Sequence, residues 1–270
     1  MDNNFMTASS LSLPANAVNW LGTWTLYQKE VHRFIKVYNQ TLFAPVITSL
    51  LFLAVFNLAM GRHVTAIGNV PFAFFMGSGL IIMSVVQNAF ANTSSTLIMG
   101  KVMGTIVDYL MPPLSAGEII FAMVMGGVTR GLMVGVLVAF AIELFIPLSI
   151  YHIGYLLFHI TAASILLALL GIFTGIISES FDQMSAVTSY IITPLSFLSG
   201  TFYSVKNLPA SLYQLSHVNP FFYMIDGFRY GMTGYHDGSL QTGLWMMAIS
   251  IILLWIAVYR MMDRGYRIKT

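Results

Sequence analysis

Residues 42–60 read LFAPVITSLLFLAVFNLAM, a run without a single charge. A helix that crosses a bilayer needs about 20 predominantly apolar residues, so this stretch places the chain in a membrane. The same reading extends outward along the sequence. Residues 70–90 are again uncharged, with Arg62 and Lys101 as the flanking cations. A third stretch, 119–141, is interrupted only by Arg130. Nothing between Glu143 and Glu179 is formally charged, and Pro147 comes early in that interval, which predicts a fourth span at 154–177. A fifth is expected at 184–204, with Pro194 inside it and Gly200 near its end, and a sixth at 243–259. The expected fold is therefore all-α: a polytopic membrane protein with six transmembrane helices. Composition agrees. The 270 residues are 57% hydrophobic and 8% charged, against about 25% charged in a soluble domain, too few polar groups to cover a water-facing surface.

Lys and Arg favour cytoplasmic loops. Six spans put both termini on one side, together with Lys29, Arg33, Lys36, Lys101, Arg260, Arg264, Arg267 and Lys269. The opposite side holds Arg62, Lys206 and Arg229, and Arg130 lies within a span. This asymmetry predicts cytoplasmic N- and C-termini. Residues 1–20 lack Lys and Arg and lack the apolar core of a signal peptide. They are expected to form a flexible tail ahead of one membrane domain, 21–270.

Several local patterns have physical content. In 24–38, Tyr27, Val31, Phe34 and Tyr38 recur at helical spacing, with Lys29, Arg33 and Lys36 forming a basic face around Glu30. That pattern predicts a helix lying in the membrane interface, cations toward anionic lipid; a charged flank of the first span would read the same way. Residues 97–111 are expected to form a short helix with Lys101, Thr105 and Asp108 on one face, stopped by Pro112 and Pro113. Its spacing suits a handle for a soluble partner and an ordinary connector equally. Ser115-Ala-Gly-Glu118 then reads as a capping box opening the third span. Within that span Gly127, Gly131 and Gly135 make a ridge of small residues that lets helices approach closely. Arg130 beside it lies roughly 20 Å past the cap at 1.5 Å per residue, near mid-membrane, where a guanidinium needs a partner from another helix or another subunit. Glu179 and Asp182 are acidic candidates reachable only by snorkelling. Pro194 and Gly200 mark the fifth span as bent, either as a hinge or as a fixed shape. The long segment 205–242 is rich in aromatics and poor in charge. Short helices that dip back into the membrane are expected there, broken at Pro209 and at Asn219-Pro220.

Other chemistry is missing from the sequence. Without cysteine there is no disulfide or thiolate metal site. No G-x-x-x-x-G-K-[ST] motif is present to cradle nucleotide phosphates, and no H-E-x-x-H to hold zinc. The six His residues are scattered. The expectation is no catalytic residue, no metal site and no cofactor bound by this chain; with no basic run, no nucleic acid either.

Seven segments follow one another in an order that resembles the ABC-2 type permeases of ABC transporters, especially inner-membrane permeases of Gram-negative bacteria. They are KEVHRF (29–34), QTLFAPVIT (40–48), GLIIMSVVQNAFAN (79–92), GTIVDYLMPPLSAGEI (104–119), GGVTRGLMVG (126–135), TPLSFLSGTFYSVKNLP (193–209) and LSHVNPFFYMIDGFRYGMTGY (215–235). The resemblance covers roughly residues 27–268, and departs from many relatives in the apolar Met-Pro-Pro-Leu at 111–114. It implies a homodimer served by a separate cytoplasmic P-loop ATPase that holds ATP and Mg. By this resemblance 97–111 is the coupling helix, with Lys101, Thr105, Asp108 and Tyr109 at the ATPase, and 24–38 is the connecting helix beside it. The segment around 208–235 forms re-entrant helices, and export is the implied direction. An apolar, aromatic path suits a lipid, an amphipathic drug or a glycan on a lipid carrier. The alternatives are an ATP-independent secondary transporter, for which internal repeats or paired ion ligands are not evident, and a membrane scaffold.

Overall fold

In a computed structural model, residues 18–61 and 64–266 are described. Most of the expected tail lies outside them, as do Arg62, Arg267 and Lys269. Helix α1 (Trp20–Lys36) starts at Asn19, whose side chain accepts from the Gly22 amide at 2.9 Å. Next come α2 (Ala44–Met60) and a hairpin of β1 (Ala66–Ile67) and β2 (Val70–Pro71). These are followed by α3 (Phe72–Val102), α4 (Val107–Leu110), α5 (Ala116–Glu143) and α6 (Ile153–Ile177). The chain continues through α7 (Phe181–Val187), α8 (Thr193–Leu198), α9 (Ala210–Val218), α10 (Pro220–Thr233) and α11 (Leu240–Asp263). The two-residue strands are a small exception to an all-α chain.

Among the described residues, five helical stretches are long and apolar enough to cross a membrane: Asn39–Ala59, Phe72–Val102, Ala116–Glu143, Ile153–Ile177 and Leu240–Asp263. The segment expected as a span at 184–204 is not one of them. Its helix is continuous from Phe181 to Leu198 through a π turn at Thr188–Ile192, but it opens on Asp182 and Gln183 and stops six residues short of the expected end. Gly200 adopts φ +84° beyond the α8 terminus, a conformation open to glycine and strained for a side chain. A second π turn, Asn39–Phe43, leads into α2. Each π turn ends just before a helix whose first turn contains proline, Pro45 or Pro194. Proline lacks an amide hydrogen and its ring crowds the carbonyl four residues back. The wider turn opens the ladder at that place.

The capping box is present at Ser115: its hydroxyl accepts from the Glu118 amide, and the Glu118 carboxylate accepts from the Ser115 amide at 2.6 Å. The same carboxylate accepts from the Asn19 amide, tying the start of α1 to the start of α5. Helices α3, α5 and α6 form the centre. In α3, 89% of the spanning window is buried, whereas α2 and α11 are 17% buried and stand at the periphery. Helix α10 packs its Phe221, Phe222 and Phe228 into the core, so these aromatics are packing groups. The breaks after Pro209 and at Asn219-Pro220 fall between the elements of this region.

Candidate functional site

Helix α1 turns one face inward against α5, and Lys29 and Lys36 on its other side are exposed. Its buried side is Thr23, Leu26, Glu30 and Phe34, spaced three to four residues apart and turned inward. Gly126 permits that approach, since a Cβ there would stand 2.7 Å from the Glu30 Cβ. Of the expected stripe, Tyr38 is exposed, and Tyr27 meets the Thr129 hydroxyl on α5 at 3.0 Å.

Glu30 is wholly buried. Its carboxylate accepts from Arg33 at 3.0 Å, from the Thr96 hydroxyl at 2.7 Å and from the Tyr109 hydroxyl at 3.3 Å. Burial first, and the Glu30 charge second, push the Tyr109 phenol above its ordinary range, so it remains a donor at physiological pH. Arg33 also donates to Ser95 Oγ at 3.2 Å, and to the backbone oxygen and Oδ1 of Asn92 at 2.8 and 3.1 Å. Lys29 sits 3.9 Å above the Tyr109 ring while remaining exposed, as Lys36 is.

The stretch 97–111 is not one helix. Leu97–Val102 is the end of α3, residues 103–106 turn, and only Val107–Leu110 is helical again. Lys101 folds back and donates to the carbonyls of Ile176 and Ser178 at the end of α6. It is a clasp between helices. Thr105 and Asp108 are exposed, and Tyr109 points inward to Glu30. Around them Val102, Met103, Val107 and Met111 are each at least half exposed, an apolar tip.

Arg130 meets neither Glu179 nor Asp182. Its guanidinium donates to Asn88 Oδ1 on α3 at 3.0 Å. Gly127, Gly131 and Gly135 face α3 and α6: added Cβ atoms would come within 2.9 Å of Ala168, 3.0 Å of the Val85 carbonyl and 2.5 Å of a Val85 methyl. Arg33 Nε, Asn92 Nδ2 and Arg130 Nε are buried without a hydrogen-bond partner.

A second buried charged cluster, at the α10 end, was not legible as such in the sequence. Arg229 is only 1% exposed. It lies 3.7 Å over the Phe75 ring and donates to the carbonyls of Gly200 and Thr201 at 2.7 and 3.2 Å. Asp226 accepts from the amides of Asp237 and Gly238, and Asp237 accepts from Ser204, Tyr235 and the Val205 amide. The signal available was Asp226 and Arg229, three apart, amid aromatics in a segment too poor in charge for a solvated loop.

A bundle with this much apolar surface, no nucleotide motif and an apolar tip at one end has the parts of a transport subunit. The ABC-2 type transporter family profile matches residues 22–233. The chain belongs to the ABC-2 type transporter family. It is 34% identical over 251 residues to the inner membrane transport permease YadH of Escherichia coli (strain K12), covering 93% of this chain and 98% of that one. It is also similar to nodulation protein J of Neorhizobium galegae, 20% identical over 246 residues, and of Rhizobium leguminosarum bv. viciae, 22% over 244 residues. These matches cover 91% and 90% of this chain, and 93% of each relative. The chain is thus the permease component of an ABC-2 transporter. For an ABC-2 permease, work done elsewhere must enter the bundle mechanically. The Tyr109–Glu30–Arg33 hydrogen bonds join α4 to α1 and α3.

Proposed function

We propose that this ABC-2 permease works as a homodimer in the inner membrane, exporting an amphipathic substrate such as a lipid, a drug or a glycan on a lipid carrier. A separate cytoplasmic P-loop ATPase drives it and binds ATP and Mg. In this reading Phe181–Leu198 serves as the fifth of six spans, residues 21–270 form one membrane domain, and both termini are cytoplasmic. Supporting that orientation, Lys29, Arg33, Lys36, Lys101, Arg260 and Arg264 belong to the α1 end, while Lys206 and Arg229 belong to the other. Helices α9 and α10 are the re-entrant pair. The exposed row Ile47, Leu51, Val55 and Leu58 on α2 supplies apolar surface for a second copy or for lipid.

The observation that carries the proposal is the apolar tip hooked beneath by Tyr109. Exposed Val102, Met103, Val107 and Met111 suit a soluble partner's groove, with Thr105 and Asp108 as polar contacts. ATPase closure pulls the tip, and the Tyr109–Glu30 bond passes the movement to α1 and α3. Pro194 and Gly200 are placed to let this fifth span adjust. The test is affinity capture of the full chain from its native membrane in mild detergent. The wild type is expected to bring a stoichiometric P-loop ATPase; Val107→Glu and Met111→Glu are expected to lose it while eluting as the same monodisperse species. A stable wild-type chain that repeatedly brings no ATPase would shift the reading to a secondary transporter or scaffold.

A further inference from the structure

We propose that the groove between α2 and α3 binds the polar head of the transported substrate, and that this head is uncharged and rich in hydroxyls, as a sugar ring is. The site belongs to the export pathway proposed above and rests on that reading. The groove has room for about 250 Å³. Its polar lining is Gln40, Thr48 and Ser49 on the α2 side and Ser84, Gln87 and Asn88 on α3.

Depth comes first. The span Asn39–Ala59 is centred on Ser49, and α3 is centred on Gln87. Ser49 Oγ and Ser84 Oγ lie 2.8 Å apart, so the two centres stand side by side. The polar row therefore lies near the middle of a hydrocarbon core about 30 Å thick. Another face of α2 carries what lipid requires at that depth, exposed Ile47, Leu51 and Val55. Exposed Thr48 and half-buried Gln87 are out of place against hydrocarbon and in place beside a water-filled path.

Chemistry comes second. Every polar side chain lining the groove is an amide or a hydroxyl, and no Lys, Arg, Asp or Glu lines it. A charged head would give up its water there without an opposite charge to meet. Asn88 is fixed in place, accepting from Arg130 and donating to the Ser84 carbonyl, both at 3.0 Å. The side-chain amides of Gln40 and Gln87 make no hydrogen bond among the described residues, and each offers both donors and an acceptor. Phe52 lines the same groove, braced by Phe56, Phe197 and Phe202. A sugar ring has an apolar C–H face and a polar rim, which match an aromatic group set among amides. The room is below the roughly 300–1,000 Å³ that encloses a drug-sized ligand, so the groove takes the head and leaves the apolar part in the bilayer.

The chain has no cysteine, so single thiols report on the groove cleanly. Thr48→Cys, Gln87→Cys and Val55→Cys are made in the full chain, held in phosphatidylcholine nanodiscs and treated with a charged maleimide. The first two are expected to react at least about tenfold faster than Val55→Cys, since a thiol in hydrocarbon seldom ionises. The probes are octyl glucoside, octyl phosphate and octyltrimethylammonium below their micellar concentrations, which share a tail and differ in the charge of the head. At roughly ten times its Kd, octyl glucoside should slow the reaction of Thr48→Cys about tenfold, and the charged probes should leave it unchanged. Adding Gln87→Leu should keep Thr48→Cys reactive and weaken octyl glucoside about fivefold, the worth of one hydrogen bond. Equal protection by either charged probe overturns the substrate class. Reaction of both groove variants as slow as that of Val55→Cys overturns the site. So does a spontaneous disulfide between two Thr48→Cys copies, which would make the groove a subunit contact. These readouts need neither ATPase nor transport, so failure of the groove is distinguishable from failure of the ATPase capture.

Discussion

The two buried charged clusters are built on opposite plans. At the α10 end, Arg229, Asp226, Asp237 and the neighbouring Lys206 balance in charge, and backbone carbonyls and amides supply much of the bonding. At the α1 end, side chains from α1, α3, the α4 turn and α5 meet with excess positive charge and three orphaned donors. The difference is one of purpose. A closed network fixes a shape, since leaving any member costs the desolvation of the others. An open network can exchange partners, which suits a ligand site or a moving joint. Arg229 clamps α10 to α3 and to the turn after α8, whereas the α1-end bonds join α1, α3, α4 and α5.

That contrast can be broken by substitution. The largest effect is expected for Arg229→Ala, which leaves the buried Gly200 and Thr201 carbonyls without their donor and empties the space over the Phe75 ring, and should cost about 3 kcal/mol or more. The check is yield and monodispersity after detergent extraction; a well-folded variant with near-normal Tm would mean the α10 cluster is no clamp. Glu30→Ala comes next, at about 2–3 kcal/mol, because Arg33 loses its only carboxylate. The check is again Tm and monodispersity in detergent; a variant as stable as the wild type would mean that Glu30 does not hold α1 against α3. Tyr109→Phe removes one hydrogen bond to a carboxylate, worth about 1–2 kcal/mol. Its informative readout is transport per ATP hydrolysed in vesicles, expected to fall while the ATPase still co-purifies; unchanged coupling would remove Tyr109 from the proposed route. Lys36→Gln is expected to stay within about 0.5 kcal/mol, in an unfolding titration, as the exposed control.

Much of the fold was legible because the bilayer imposes a simple rule. Long uncharged runs give away α2, α3, α5, α6 and α11, and the Ser115–Glu118 capping box is a local signal with a local cause. The segment after α6 was harder, since Asp182 and Gln183 dilute its apolar character and the helix ends at Leu198. The site was legible in part. Arg130 stood out as a charge inside a span, and Tyr109 and Glu30 belonged to segments marked by the family resemblance. Their mutual contact was invisible, because residues 79 positions apart reveal no bond by spacing.

By itself, then, the sequence determined the solvent, the main spans, the helix starts and the lack of a nucleotide motif. All of these follow from composition or from neighbours a few residues apart. Only the tertiary structure decided that Glu30 is buried and bonded by Arg33, Thr96 and Tyr109, that Lys101 clasps α6, that Arg130 meets Asn88, and that Arg229 is sealed in a balanced cluster. Helical periodicity gives the angle of a side chain around its own axis. Which neighbour stands at that angle depends on how closely helices approach, and here Gly126 and the ridge at Gly127, Gly131 and Gly135 set that distance.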